Sequence, residues 1–198
     1  MISKINSLAL FAGLAIHTLT LAQRAEMPET ASFRVGDTWE WNQIDKRTKL
    51  QEAKLMRTVL EIDGSLQFSN GTTTSTIRIG LIDGTFKSSS KPWRVWPLQV
   101  GKNWSFNADW TRADGVNGNT KQEAEVVAYE EVVVPAGKFM AFKIEHKGWY
   151  QNYSQGGSGK QNDTYWYAPD TQADVKHVRD DSYNLYTREL VTYKRGAP

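Results

Sequence analysis

The chain has no cysteine. That absence excludes thiol catalysis, disulfide staples and every cysteine-ligated metal site, and it removes the cysteine on which a bacterial lipoprotein is anchored. The protein is therefore not expected to be a lipoprotein. Histidine is nearly as scarce, with three in 198 residues. None is spaced as His-x-His or His-x-x-x-His, so no metal site is expected. Charge of one sign is missing too. The 24 basic and 22 acidic residues are interspersed, which reads as an ordinary solvated surface and lacks the clustered footprint of a nucleic-acid binder. There is no Gly-x-Ser-x-Gly, no phosphate-binding loop and no dinucleotide fingerprint, and no cofactor is expected. No apolar run is long enough for a transmembrane helix.

The longest apolar run, Leu8–Ile16, has the flanks of an export signal. Lys4 supplies a short positive start, and Thr20-Leu21-Ala22 offers a small residue before Gln23. The reading is a signal peptide over 1–22, then one β-roll domain over 23–198, long enough to bury a core unaided. The expected location is periplasmic or secreted, and the expected state is a monomer.

What the chain does have is a repeated phrase. Phe33-Arg-Val35-Gly36-Asp-Thr-Trp39-Glu-Trp41 aligns with Leu98-Gln-Val100-Gly101-Lys-Asn-Trp104-Ser-Phe106. Two copies of one β-unit are implied, with Trp39 and Trp104 plugging a core behind glycine turns. Around them the period is two. Trp104, Phe106, Ala108 and Trp110 alternate with polar residues, as do Met140, Phe142 and Ile144, and Ile77, Ile79 and Leu81. Such alternation gives a sheet with one buried and one wet face. Asp63-Gly64 reads as a two-residue hairpin turn. Asn70-Gly71, Asp83-Gly84 and Pro135-Ala136-Gly137 continue the meander, Asn117-Gly118 breaks a loop over 111–119, and 154–159 reads as a glycine-rich loop. The one helical candidate is Thr48–Val59, which suits a strand equally well. The fold class is all-β: a single antiparallel curved sheet or spiral β-roll, open and barrel-like, of roughly ten to twelve strands.

Four phrases in the second half carry a resemblance. They are Trp96-Pro97-Leu98-x-Val100-Gly101-x-x-Trp104; Val132-Val133-Val134-Pro135-Ala136-Gly137-Lys-Phe139; Tyr165-Trp166-Tyr167-Ala168-Pro169 running to Val175-Lys176; and Glu189-Leu190-Val191-x-Tyr193. In this order they resemble the exported bacterial DUF3108 and DUF3108-like (TapB-like) proteins over about 93–194. The resemblance implies an all-β roll and no settled activity, so no site residue is carried over from it. It departs at one turn: Gln172 or Ala173 stands where a glycine is usual before the Val-Lys strand.

Candidate chemistry is thin. His146 continues the Phe142–Ile144 face, and His177 shares a face with Val175 and Arg179; lone histidines on apolar faces are usually structural. The neighbours Glu130-Glu131 point to opposite sides of a strand and cannot pair across a cleft. Asp180-Asp181 reads as a turn. Aromatics are the remaining signal. Trp149, Tyr150 and Tyr153, beside Gln151, Asn152, Gln155 and Asn162, would make a stacking surface with amide hydrogen bonds. The second place to look is a concave face around Tyr165, Tyr167 and His177. The expected function is an exported, non-catalytic binding or accessory protein of the cell envelope, taking a glycan, peptide or protein partner. The alternatives are a periplasmic carrier of an apolar or lipid ligand, and a hydrolase centred on His177 or His146 with Asp180 or Glu145.

Overall fold

A computed structural model describes residues 23–77, 86–112 and 114–197, with backbone alone over 86–91. The expected signal segment and the Asp83-Gly84 turn lie outside the described residues. The chain is 66% strand, and no α-helix occurs among the described residues.

The strands are β1 (Arg24–Ala25), β2 (Thr38–Asp45), β3 (Gln51–Ile62), β4 (Ser65–Ser69), β5 (Thr74–Thr76), β6 (Phe86–Lys91), β7 (Leu98–Gln99), β8 (Asn103–Thr111), β9 (Asn117–Val134), β10 (Gly137–Asn152), β11 (Gly157–Ala168), β12 (Ala173–Asp180) and β13 (Leu185–Lys194). Eleven form one antiparallel sheet in the order β5-β4-β3-β2-β13-β12-β11-β10-β9-β8-β6, while β1 pairs with β7. The expected all-β, open curved sheet is what the chain builds.

The repeated phrase is a repeated turn. Gly36 and Gly101 both have positive φ, 89° and 87°, a conformation that costs glycine little. The Gly36 N–H donates to the Val59 carbonyl and the Val59 N–H returns to Asp37; the Gly101 N–H donates to Val126, whose N–H returns to Lys102. Phe33 and Leu98, at matching places, are both buried, and Val35 and Val100 are both exposed. The two indoles differ. Trp39 is fully buried, whereas Trp104 is half-buried, so only the first plugs its core completely.

Local readings hold or shift for identifiable reasons. Asp63 and Gly64 both take positive φ, as a type I′ hairpin requires. Gln172 takes the left-handed conformation, φ 55°, and so does the glycine's work before β12. Thr48–Val59 is no helix: from Gln51 it is β3, paired with β2 on one side and β4 on the other. Asn117-Gly118 lies within β9 rather than in a loop, and the glycine-rich stretch shortens to a turn because β11 already starts at Gly157.

Register shifts leave Val127, Val175 and Val191 as extra residues, which puts bulges in β9, β12 and β13. Bulges bend the strands that carry them. The sheet curls until the Ala136 N–H, in the β9–β10 turn, reaches the Leu190 carbonyl of β13 at 3.0 Å. Inside this curl the lower tier is mainly apolar: Phe33, Trp39, Trp41, Phe68, Val132, Val134 and Leu190 form one core, with one buried ion pair, Arg94–Asp174 at 2.9 Å, beside it. A middle tier holds Leu98, Val126, Phe142, Ile144, Tyr165 and Tyr167. Above it the interior turns polar.

Candidate functional site

The inward positions of three strands change character towards one end of the roll. On β9 they run Val126, Ala124, Gln122, Thr120; on β11, Tyr167, Tyr165, Asp163, Gln161; on β12, Val175, His177, Arg179. All are buried except Arg179, which is partly so. Asp163 is their centre. Its Oδ1 accepts from His177 Nε2 at 2.7 Å and Arg179 Nε at 2.8 Å. Its Oδ2 accepts from Gln122 Nε2 at 3.0 Å and Gln161 Nε2 at 2.8 Å. Burial alone would raise this carboxyl's pKa; the Arg179 charge and the His177 bond outweigh it and hold the group well below the usual range. Asp163 is therefore ionised, and the proton between it and His177 sits on Nε2. Burial also lowers the His177 pKa against the pull of Asp163. The ring is neutral, and its Nδ1 is buried without a hydrogen-bond partner among the described residues.

A cleft of about 620 Å³ is lined in part by Trp110, Tyr150, Gln161, Arg179, Tyr183 and Asn184, and two of these, Gln161 and Arg179, bond to the Asp163 carboxylate beneath. Asn152 and Gln155 stand on its rim. A chain of hydrogen bonds joins wall to floor: Trp110 Nε1 donates to Thr120 Oγ1 at 3.1 Å, and Thr120 Oγ1 to Gln161 Oε1 at 3.5 Å. Glycines make room for two of the rings. Trp110 stands opposite Gly118 and Tyr150 opposite Gly159. A Cβ at 159 would come within 2.9 Å of the Tyr150 ring, and one at 118 would overlap the Trp110 indole. The Asp181 carboxylate shapes the last wall by accepting the N–H groups of Tyr183 and Asn184 at 3.1 and 2.6 Å. An aromatic-walled, amide-rimmed cleft over a fixed charge can hold a polar ligand by stacking and hydrogen bonding.

The aromatic residues picked from the sequence divide into three places. Tyr150 is half-buried and lines the cleft. Trp149 and Tyr153 are each 56% exposed, and Trp149, being adjacent to Tyr150 in a strand, faces the other way. The three do not form one surface. Tyr165, Tyr167 and His177 are buried side chains of the interior, with the Tyr165 and His177 rings stacked at 4.1 Å. They do not present a concave face to solvent.

The pairings considered for a hydrolase do not form. The carboxylate partner of His177 is Asp163, and Asp180 is exposed. Glu145 is held by Lys147 at 2.6 Å and Lys143 at 3.6 Å, on the face opposite His146. His146 is fully buried, stacked on Trp93 at 4.6 Å. Neither of its ring nitrogens has a hydrogen-bond partner among the described residues. Burial pushes its pKa down to about 3. No group of histidine and acidic residues able to hold a metal occurs among the described residues.

Asp163, Gln122, Gln161, Arg179, Trp110 and Tyr183 escaped the reading of the sequence. The available signal was parity: Gln161 and Asp163 continue the Tyr165–Tyr167 face, where apolar residues are the rule.

No protein-family profile and no curated protein matches the sequence. Two solved structures share the fold. One is a candidate exported protein with a YmcC-like fold from Bacteroides fragilis, with TM-score 0.55, 12% identity, and coverage of 82% of this chain and 97% of that one. The other is a candidate lipoprotein from Parabacteroides distasonis, with TM-score 0.51, 11% identity, and coverage of 81% and 96%. At such identities the likeness is one of fold. Among the described residues no helix is long and apolar enough to cross a membrane.

Proposed function

We propose that this is an exported, non-catalytic binding protein of the bacterial cell envelope, related to the DUF3108-like group, and that its ligand is a glycan held in the cleft above Asp163. The observation that carries this reading is the cleft itself: about 620 Å³, walled by Trp110, Tyr150 and Tyr183 and rimmed by amides. Rings of this kind stack on sugar faces while amides satisfy hydroxyl groups. A peptide would use the same amides, but the rings then lack their natural complement. Export also fits the signal-like Leu8–Ile16 run and the two structural neighbours.

The buried charge argues for binding over catalysis. Asp163 spends both oxygens on four donors, and His177 Nε2 is committed to it. A histidine general base needs a free ring nitrogen within reach of substrate. The remaining His177 nitrogen is enclosed.

Binding to a panel of bacterial envelope oligosaccharides tests the proposal, using the wild type and Tyr150→Ala. The expected result is a glycan retained by the wild type and lost by the variant. Binding of fatty acids or phospholipids in place of any glycan would favour the apolar-carrier alternative.

A further inference from the structure

The outward face of the sheet carries one three-residue row twice. In the lower row Trp166 stands directly opposite Lys143 on β10 and Lys176 on β12. Both ammonium groups lie over its ring, at 5.7 and 5.6 Å. Its Nε1 donates to Glu130 at 2.8 Å, and Lys176 is held by Glu189 at 2.8 Å. That row is satisfied within the protein.

In the upper row Trp149 stands directly opposite Lys121 on β9 and Lys160 on β11. Here nothing closes. The indole is 56% exposed, and both lysines are exposed. Among the described residues Trp149 makes no hydrogen bond, and neither lysine makes an ion pair. Burial does not explain the indole, because an exposed ring contributes little to folding. Its surroundings are polar. In the next row Gln151 stands between Asn119 and Ser158, and on the other side Lys147 stands between Glu123 and Asn162. A membrane-docking face would instead cluster apolar side chains around the indole.

We propose that the Lys121–Trp149–Lys160 row binds an anionic polysaccharide, with a sugar face on the indole and acid groups at the two ammonium ions. Neighbouring strands lie about 4.8 Å apart, so the two lysine backbones are roughly 10 Å apart with the ring midway, a span suited to a disaccharide. The acid group is a carboxylate or a sulfate, since both meet an ammonium ion equally well. The site lies on the outside of the sheet and does not depend on the cleft.

The test is affinity electrophoresis of the full mature chain through gels containing polygalacturonate, dextran sulfate or neutral dextran, with phosphatidylglycerol vesicle flotation alongside. The wild type is expected to be retarded by polygalacturonate or dextran sulfate and not by dextran; the one that retards it more identifies the acid group. Trp149→Ala should weaken that interaction about tenfold, as loss of a central aromatic contact does. Lys121→Ala/Lys160→Ala should weaken it about as much and flatten its salt dependence. Both variants should melt like the wild type, and Tyr150→Ala should bind like it. No retardation by either anionic polymer, equal retardation by dextran, wild-type affinity in Trp149→Ala, or flotation with vesicles alone would overturn the proposal.

Discussion

The two ends of the roll are built from the same strands but filled differently. At the lower end, Trp39 and Trp41 are buried and each donates an indole N–H, to the Thr171 and Asp174 carbonyls, both at 2.8 Å. Phe33, Phe68 and Leu190 fill the space around them. Their polar groups are satisfied at short range, and the sheet is drawn together by the Ala136–Leu190 bond. At the upper end the same inward positions carry Asp163, Gln161, Gln122, His177 and Arg179, and a cleft replaces the core. Burying a charge is expensive unless it is paired. The four donors to Asp163 meet that requirement, yet an apolar filling would be cheaper. The lower end is packed for stability; the upper end gives up packing for a polar chamber.

The largest effect that would break this contrast is at the lower end. Trp39→Ala should destabilise the fold by about 3–5 kcal/mol, because it leaves a large cavity and an unpaired Thr171 carbonyl. Trp104→Ala, at the matching place in the other β-unit, should cost clearly less because that ring is half-buried. Urea unfolding of the pair measures the difference. Equal losses would mean that the two units are loaded alike.

Next comes the charge at the upper end. Asp163→Asn should cost about 2–3 kcal/mol, since Arg179 and His177 lose a charged partner while much of the shape is kept. The same urea experiment reads it, and a loss below 1 kcal/mol, on the order of one ordinary hydrogen bond, would show the carboxylate to be dispensable.

The histidines then give a pH dependence of known sign. The folded-state pKa of His146 lies at about 3, below its unfolded value of about 6.5. The unfolded chain therefore takes up a proton first as the pH falls. The stability contributed by the neutral ring is complete above about pH 6.5 and is lost on the way down towards pH 3, at about 1.4 kcal/mol per pH unit. The lowered pKa of His177 adds in the same direction. Stability measured between pH 7 and pH 5, before most carboxylates titrate, should show this slope, and His146→Phe should flatten it.

The smallest stability effect belongs to the cleft wall. Tyr183 is 77% exposed, and Tyr183→Ala should change stability by no more than about 0.5 kcal/mol while weakening ligand binding in calorimetry.

The lower end was legible in the sequence and the upper end was not. The Phe-x-Val-Gly-x-x-Trp phrase can be read because a positive-φ glycine and two inward apolar residues occupy fixed offsets in one short segment. The turn before β12 was legible only in part: the resemblance placed Gln172 or Ala173 where a glycine is usual, and it is Gln172 that takes the left-handed conformation. Thr48–Val59 was ambiguous, because Leu50, Ala53, Leu55 and Met56 suit either period, and pairing on both edges decided for strand. The Asp163 chamber depends on which residues of β9, β11 and β12 face one another: His177 and Arg179 lie 14 and 16 positions from Asp163 and Gln122 lies 41 away, and the register that brings them together is not written in any local pattern. Trp149 and Tyr150 were grouped by closeness in the chain, although alternation alone sends them to opposite faces.

The proposed division of the roll gives its open end to a ligand and its closed end to the fold. Native mass spectrometry of Tyr150→Ala/Tyr183→Ala, purified from the host envelope beside the wild type, tests it most directly, with melting temperatures taken on the same samples. The expected result is a glycan adduct on the wild type, its absence from the variant, and melting temperatures within about 4 °C of each other, the shift that about 1 kcal/mol produces in a chain of this size. An adduct that survives in the variant, or a variant that no longer folds, would contradict it.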